Sequence, residues 1–378
     1  MDELLARYLQ DGELNYVDLC RRVAKSIAQT PYDEAMYFES LIHKEFIPAS
    51  LTLLTAGEKN PCLCSDIALP WSEREQARRA LAHGLGVSLH IPDTETVEGV
   101  SKFLLSFKDV LQREFRPGAT MLTCKDTHPE LDTFIELKNT HREIAHVNFT
   151  VLCSKKDTLA KIAPAAHACG DPGFANVTLR TSPYLAPCGQ SDLLPWQSVP
   201  YAHINLAAHV QNKQFDIPAF LETVSLVRKF LLRSLELHSF LNEQNKEVTQ
   251  KNKKIGIGLL GLAELAEQLG VSCNAPELKK LLTFIATTLG SDGAISPTGA
   301  TSRLLGVTPN IEPKLPLQTP IQDQLALATV VQEHIGGAIS KTILLPESAT
   351  VQEVEDVFDA AWNLNLKGLT VYRNNSLE

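Results

Sequence analysis

The stretch Lys341-Thr342-Ile343-Leu344-Leu345-Pro346, continued by Val351 to Leu364 and by Lys367-Gly368-Leu369-Thr370-Val371-Tyr372-Arg373, decides the fold class. Its outer runs are short, apolar and rich in β-branched residues, and its middle run is long enough for several helical turns. Strand, helix, strand within some thirty residues is the crossover unit of a parallel sheet. The expected class is therefore α/β.

The same alternation extends back along the chain. Ile67-Ala68-Leu69, Gly86 to Ile91, Thr120 to Thr123 and His146 to Leu152 read as strands, and so does Leu51-Thr52-Leu53-Leu54. Val97 to Leu111 and Leu131 to Lys138 read as helices. Asp216-Ile217-Pro218 carries the cap and proline of a helix start, followed by a long apolar helix through Leu237. In the first 45 residues, Val17, Cys20, Val23, Ala24 and Ile27 recur at helical spacing, and Pro31 with Asp33 opens another helix. No linker or repeat interrupts the rest, so the expectation is a helical segment, 1–45, before one α/β domain, 46–378.

Composition narrows the function classes. With 378 residues, 44% hydrophobic and 21% charged, the chain is globular and long enough for a large core. A net charge of -9 gives no electrostatic case for polymeric nucleic acid or an anionic membrane. No apolar run approaches a membrane span, and Met1-Asp2-Glu3 is a poor signal-peptide opening. Eight cysteines then read as reduced thiols in a cytoplasmic protein.

Four motifs invite chemistry. Gly256, Gly258 and Gly261 spell G-x-G-x-x-G, but the preceding Lys251 to Lys254 is polar, and no acidic residue closes a second strand, so a glycine-rich strand packed against its following helix is preferred to a dinucleotide site. Ser296-Pro297-Thr298-Gly299-Ala300-Thr301-Ser302 places amides and hydroxyls at a helix start, suited to a phosphate or simply to capping. Cys62 and Cys64, read as strand residues, would share a face; with Cys124 and His128 they match no usual zinc spacing, and no metal is expected. Cys188, near Asp192, has no histidine partner that spacing singles out.

Taken in order, the segments resemble the catalytic subunit of ribonucleotide reductase, most closely its adenosylcobalamin-dependent class II type. The resemblance runs from Phe46 to Arg373 through Pro48 to Gly57, Cys62–Cys64, Arg116 to Met121, His128 to Leu131 and Val147 to Val151. It continues through Ala186-Pro187-Cys188-Gly189-Gln190, His203 to Ala207, Lys254 to Gly261, Ser296 to Gly299, Ser340 to Ile343 and Lys367 to Arg373. It implies a ten-stranded α/β barrel around a finger loop, a nucleotide or nucleotide-like ligand, adenosylcobalamin as cofactor, and allows a homodimer.

The resemblance also implies roles, residue by residue. Cys188 stands where the family has its thiyl-radical cysteine. Ser50 and Thr298, Gly299, Ala300, Thr301 and Ser302 match the phosphate-side segments. Ala186 replaces an Asn that holds the sugar hydroxyls. Gln190 replaces the Glu that removes a hydroxyl proton, and a carboxamide is no base. One of the reducing cysteines matches Cys62 or Cys64; the other falls at Val199. A radical enzyme with redox-neutral chemistry is therefore expected, the alternative being a non-catalytic nucleotide- or cobalamin-binding barrel or a partner of a complete reductase subunit.

Overall fold

The computed structural model describes residues 3–106 and 118–376, so Arg116, Pro117 and the expected helical residues after Ser106 lie outside the described residues. The chain divides into two compact units, each assembled from three separate stretches. The first comprises Met1–Ser65, Ser198–Lys314 and Glu333–Gly337; the second comprises Asp66–Gln197, Leu315–Gln332 and Ala338–Glu378.

In the first unit the N-terminal segment is helical, as its periodicity requires. Helix Tyr16–Ile27 begins at Asn15, whose side chain accepts from the amides of Val17 and Asp18, and it buries Leu19, Cys20, Val23, Ala24 and Ile27. Helix Pro31–Ile42 opens on Thr30 with proline in its first turn. Asp216 caps the 21-residue helix Ile217–Leu237 through the Ala219 amide. Phe230 on that helix meets Tyr37 and Phe46 edge-on, with ring centroids 5.2 and 5.4 Å apart.

Strand Tyr201–Asn205 lies at the centre of this unit's three-stranded sheet. It pairs antiparallel with Phe46–Pro48 and parallel with Gly256–Leu260. The glycine-rich motif is thus a buried strand leading into helix Leu262–Leu269, as the polar segment before it suggests. Leu51 to Leu54 departs from the strand expectation and lies in helix Ser50–Thr55, because a four-residue run with three leucines fills one helical turn as readily as a short strand. Cys62 and Cys64 lie outside any strand, in the irregular segment before Asp66.

Within the second unit, seven strands pair in the order Thr342–Leu345, Gly368–Arg373, Gly173–Asn176, Val147–Cys153, Thr120–Lys125, Gly86–His90 and Asp66–Pro70. All neighbours are parallel except Gly368–Arg373 against Gly173–Asn176. The crossover over helix Val351–Asn363 therefore joins two parallel strands. Phe174 packs edge-on against Phe358 of that helix at 5.6 Å. Among the described residues the strand pairing within each unit is that of an open sheet rather than a closed barrel, and the expected α/β class stands. No helix among the described residues is long and apolar enough to cross a membrane.

Candidate active site

In the second unit, the loop 184–193 folds back on itself. Leu185 and Asp192 form an antiparallel bridge, and Leu193 N–H donates to the Tyr184 carbonyl at 2.7 Å. Inside it, Ala186 N–H reaches the Ser191 carbonyl at 2.8 Å, and Gly189 N–H reaches the Ala186 carbonyl at 2.7 Å. Ala186-Pro187-Cys188-Gly189 is thus a β-turn, with proline at the position its fixed φ favours and Cys188 next to it at the tip. Gly189 completes the turn at φ +75°, in the left-handed region.

Buried polar groups hold this turn in place. The Arg180 guanidinium contacts Asp192 Oδ1 at 2.7 Å, the Gly189 carbonyl at 2.9 Å and the Lys367 carbonyl at 3.0 Å. Asp192 also accepts from the Thr181 amide at 2.8 Å and its hydroxyl at 3.1 Å. Burial alone would raise the Asp192 carboxyl, but the Arg180 charge and the Thr181 hydrogen bonds outweigh it and hold the group below its ordinary value. Ser88 donates to the Leu185 carbonyl, and Ala338 N–H donates to the Gln190 carbonyl at 2.7 Å.

Gln190 is 2% exposed, and its Nε2 donates to Asp66 Oδ2 at 2.8 Å. Asp66 opens its strand opposite Gly86, and a Cβ at that glycine would collide with Asp66 Oδ1 and stand 3.0 Å from the Pro187 ring. Ala186 is fully buried beside them in sequence. The structure therefore gathers Ala186, Cys188 and Gln190 on one braced loop and adds a carboxylate, Asp66, that sequence reading passes over. Its signal is a charge at the head of the apolar run Ile67-Ala68-Leu69, costly to bury without a partner.

The remaining candidates belong to the first unit. Cys62 and Cys64 are buried; the Leu63 and Cys64 amides both donate to His238 Nδ1, at 3.1 and 3.3 Å. Burial pushes His238 down to about 3, so it accepts as a neutral ring. Val199 is fully buried, and its carbonyl accepts from the Ser65 amide at 2.9 Å, one residue beyond Cys64. The position expected to hold a second reducing thiol is thus occupied by an apolar side chain.

Ser50 begins its helix and accepts from the Tyr8 hydroxyl at 3.1 Å. Thr298 precedes helix Gly299–Leu305, and its hydroxyl accepts from the Asn310 amide at 2.8 Å. The hydroxyls of Thr301 and Ser302 donate back to the carbonyls of Thr298 and Gly299, at 3.3 and 3.4 Å. What this helix start presents outward is backbone at exposed Gly299 and half-buried Ala300.

Residue burial separates the eight cysteines. Six are buried, whereas Cys188 and Cys273 are half-buried. Burial pushes the thiols of Cys20 and Cys124 up to about 12 and raises that of Cys169, disfavouring the thiolate at each.

Comparison with known proteins shows what the chain is similar to. The family model described as the ribonucleotide reductase barrel domain matches residues 200–293 and 317–372. A vitamin B12-dependent ribonucleoside-diphosphate reductase of Mycobacterium tuberculosis (strain CDC 1551) is 24% identical over 396 residues, covering 70% of this chain and 57% of that protein. Its namesake from Thermoplasma acidophilum is 26% identical over 309 residues, covering 64% of this chain and 40% of that protein. The chain thus spans between two fifths and three fifths of the length of these two curated relatives. The solved alpha subunit of the Actinobacillus ureae class Id ribonucleotide reductase superposes with a TM-score of 0.83 at 13% identity, covering 100% of this chain and 99% of that one, a likeness of fold. Family model, relatives and fold agree in one likeness: the chain resembles the ribonucleotide reductase catalytic-subunit family, class II-like in its B12-dependent relatives.

Proposed function

We propose that the chain is a thiyl-radical protein acting on a nucleotide or nucleotide-like sugar, with Cys188 as the hydrogen-transfer centre and a redox-neutral outcome. The observation that carries the reading is the half-buried Cys188 thiol at the tip of a turn braced by Arg180, Asp192 and Ser88. Catalytic geometry needs such rigid support. In this reading the Cys188 sulfur radical takes a hydrogen atom from a sugar carbon, forming S–H and a carbon radical. Return of a hydrogen atom from the same thiol restores both.

Val199 supports the redox-neutral outcome, since a valine cannot donate the electrons a second cysteine would. Gln190 supports it too, because a carboxamide accepts a hydrogen bond from a hydroxyl without removing its proton. Adenosylcobalamin would supply the first hydrogen abstraction. What such a group asks of the protein is a thiol that can be reached, and Cys188 fits. The phosphate would lie on Ser50 and on the backbone of the helix start formed by Thr298, Gly299, Ala300, Thr301 and Ser302, with Cys62 and Cys64 as a local thiol pair. The cytoplasm, where thiols stay reduced, suits this chemistry.

The test is deuterium wash-in. Wild-type protein with adenosylcobalamin in D2O should place deuterium on a sugar carbon of one nucleotide in a panel, because the thiol proton exchanges with solvent. Cys188→Ser should abolish incorporation while leaving circular dichroism unchanged. If Cys188→Ser matches wild type across the panel, a non-catalytic nucleotide- or cobalamin-binding barrel, or a partner of a complete reductase subunit, is the better account.

A further inference from the structure

Gln190 and Asp66 are 124 positions apart in sequence and both nearly buried, at 2% and 8% exposure, yet they share a hydrogen bond of 2.8 Å. A carboxylate only accepts, so the amide must turn its Nε2 toward Asp66. That choice directs Oε1 away from Asp66. Gln190 Oε1 is buried and has no hydrogen-bond partner among the described residues. An amide oxygen so placed loses its hydration without compensation, and a native site that carries one commonly completes it with a ligand or an ordered water.

The backbone closes off the alternatives around it. The Gln190 carbonyl is held by the Ala338 amide at 2.7 Å, and the adjacent Gly189 carbonyl is held by Arg180 at 2.9 Å. The loop cannot swing to relieve the side chain without breaking these bonds. Gly86 leaves room for the Asp66 carboxylate against the Pro187 ring. Strand, glycine and loop together form a seat for one carboxylate and one amide.

From this geometry we propose that Asp66 is a positioning residue of the site. It clamps the Gln190 amide so that Oε1 is a fixed acceptor for a hydroxyl of the bound ligand. The inference rests on the nucleotide reading above, extending it to the chemistry of recognition: the site takes a ligand with an intact hydroxyl two residues from the Cys188 thiol. Asp66 touches no ligand in this arrangement. It acts through Gln190.

The experiment has two arms. In the first, side-chain amide signals of protein labelled with 15N-glutamine are recorded without ligand; the pair missing in Gln190→Glu identifies Gln190. It should be slow to exchange in wild type and in Asp66→Asn, whose side-chain oxygen still accepts, and fast or shifted to the free-amide position in Asp66→Val. An unchanged signal in folded Asp66→Val overturns the clamp. So does loss of protection in folded Asp66→Asn.

In the second arm, ADP, CDP, GDP and UDP and their 2′-deoxy and 3′-deoxy analogues are titrated calorimetrically. Wild type and Asp66→Asn should prefer one hydroxyl-bearing ligand over its deoxy analogue by roughly five- to tenfold, the worth of one hydrogen bond. Asp66→Val should bring that preference within about twofold. A preference that survives Asp66→Val overturns the positioning role. Wild-type protein that binds none of the nucleotides overturns the nucleotide reading itself, and the amide signal then decides the clamp alone.

Discussion

Arg180 and Asp192 form an ion pair of 2.7 Å with side chains only 2% and 6% exposed, and it locks the loop that carries Cys188. Removing one partner of such a pair leaves a buried charge uncompensated, at a cost of about 3–5 kcal/mol. Arg180→Met should therefore lower the urea midpoint strongly, and Asp192→Asn somewhat less, because the amide keeps an acceptor for Thr181. Because the folded Asp192 carboxyl lies below its ordinary value, its contribution is present above the unfolded value near pH 4 and is lost as pH falls through the folded one. A midpoint within experimental error of wild type in Arg180→Met would refute this.

Gly86→Ala tests the seat of the carboxylate. The added methyl would meet Asp66 Oδ1 and the Pro187 ring at once, and overpacking of this kind costs about 1–3 kcal/mol. The expected result is a destabilised protein whose Cys188 thiol is modified faster than in wild type. Equal thiol kinetics would show that the loop does not lean on this position.

Native alkylation should follow exposure. Iodoacetamide at neutral pH should label Cys188 and Cys273 before the six buried cysteines, of which Cys20 and Cys124 are pushed up to about 12 by burial. Peptide mass spectrometry after a short pulse reads the order. Early labelling of Cys62 or Cys64 would contradict the packing around His238.

Mild acid should weaken the fold well above the carboxylate range. Burial pushes His238 down to about 3 and His203 to about 4; His90 also reaches about 4, through burial and then the Lys125 charge. The unfolded chain binds protons at these rings below about pH 6.5, while the folded protein does not. Their stabilising contribution is thus full above that pH and declines as pH falls, by roughly 1 kcal/mol per ring at pH 5.5. Urea midpoints at pH 7.5 and 5.5 should differ clearly; equal midpoints would refute the sign.

Ordinary ribonucleotide reduction should be undetectable with dithiothreitol, given Val199 beside the Cys64 segment. Robust multiple-turnover deoxynucleotide formation would refute this and direct attention to the Cys62–Cys64 pair.

The alternating architecture is legible in the chain because strand and helix periods are local properties, as Val147–Cys153 and Val351–Asn363 show. Leu51 to Leu54 is not, since a run this short carries no period and only the helix start at Ser50 makes it helical. Cys188 is visible on its Pro-Cys-Gly motif, and the turn geometry follows from the proline and glycine chemistry alone. Asp66 and Arg180 are invisible as site residues. Each is defined by a partner brought near by folding: Gln190 for Asp66, and Asp192, Gly189 and Lys367 for Arg180.

The interleaving of the two units has a consequence for the life of the chain on the ribosome. Met1–Ser65 emerges before the rest of its unit, which also needs Ser198–Lys314 and Glu333–Gly337. At roughly 5–20 residues per second, its apolar helical faces wait tens of seconds for their partners. During that interval Val23, Ile27, Leu41 and Phe46, all buried in the finished protein, are open to holdase chaperones and to neighbouring nascent chains. Synthesis speed between residues 66 and 197, rather than final stability, should set how much of the protein is recovered soluble.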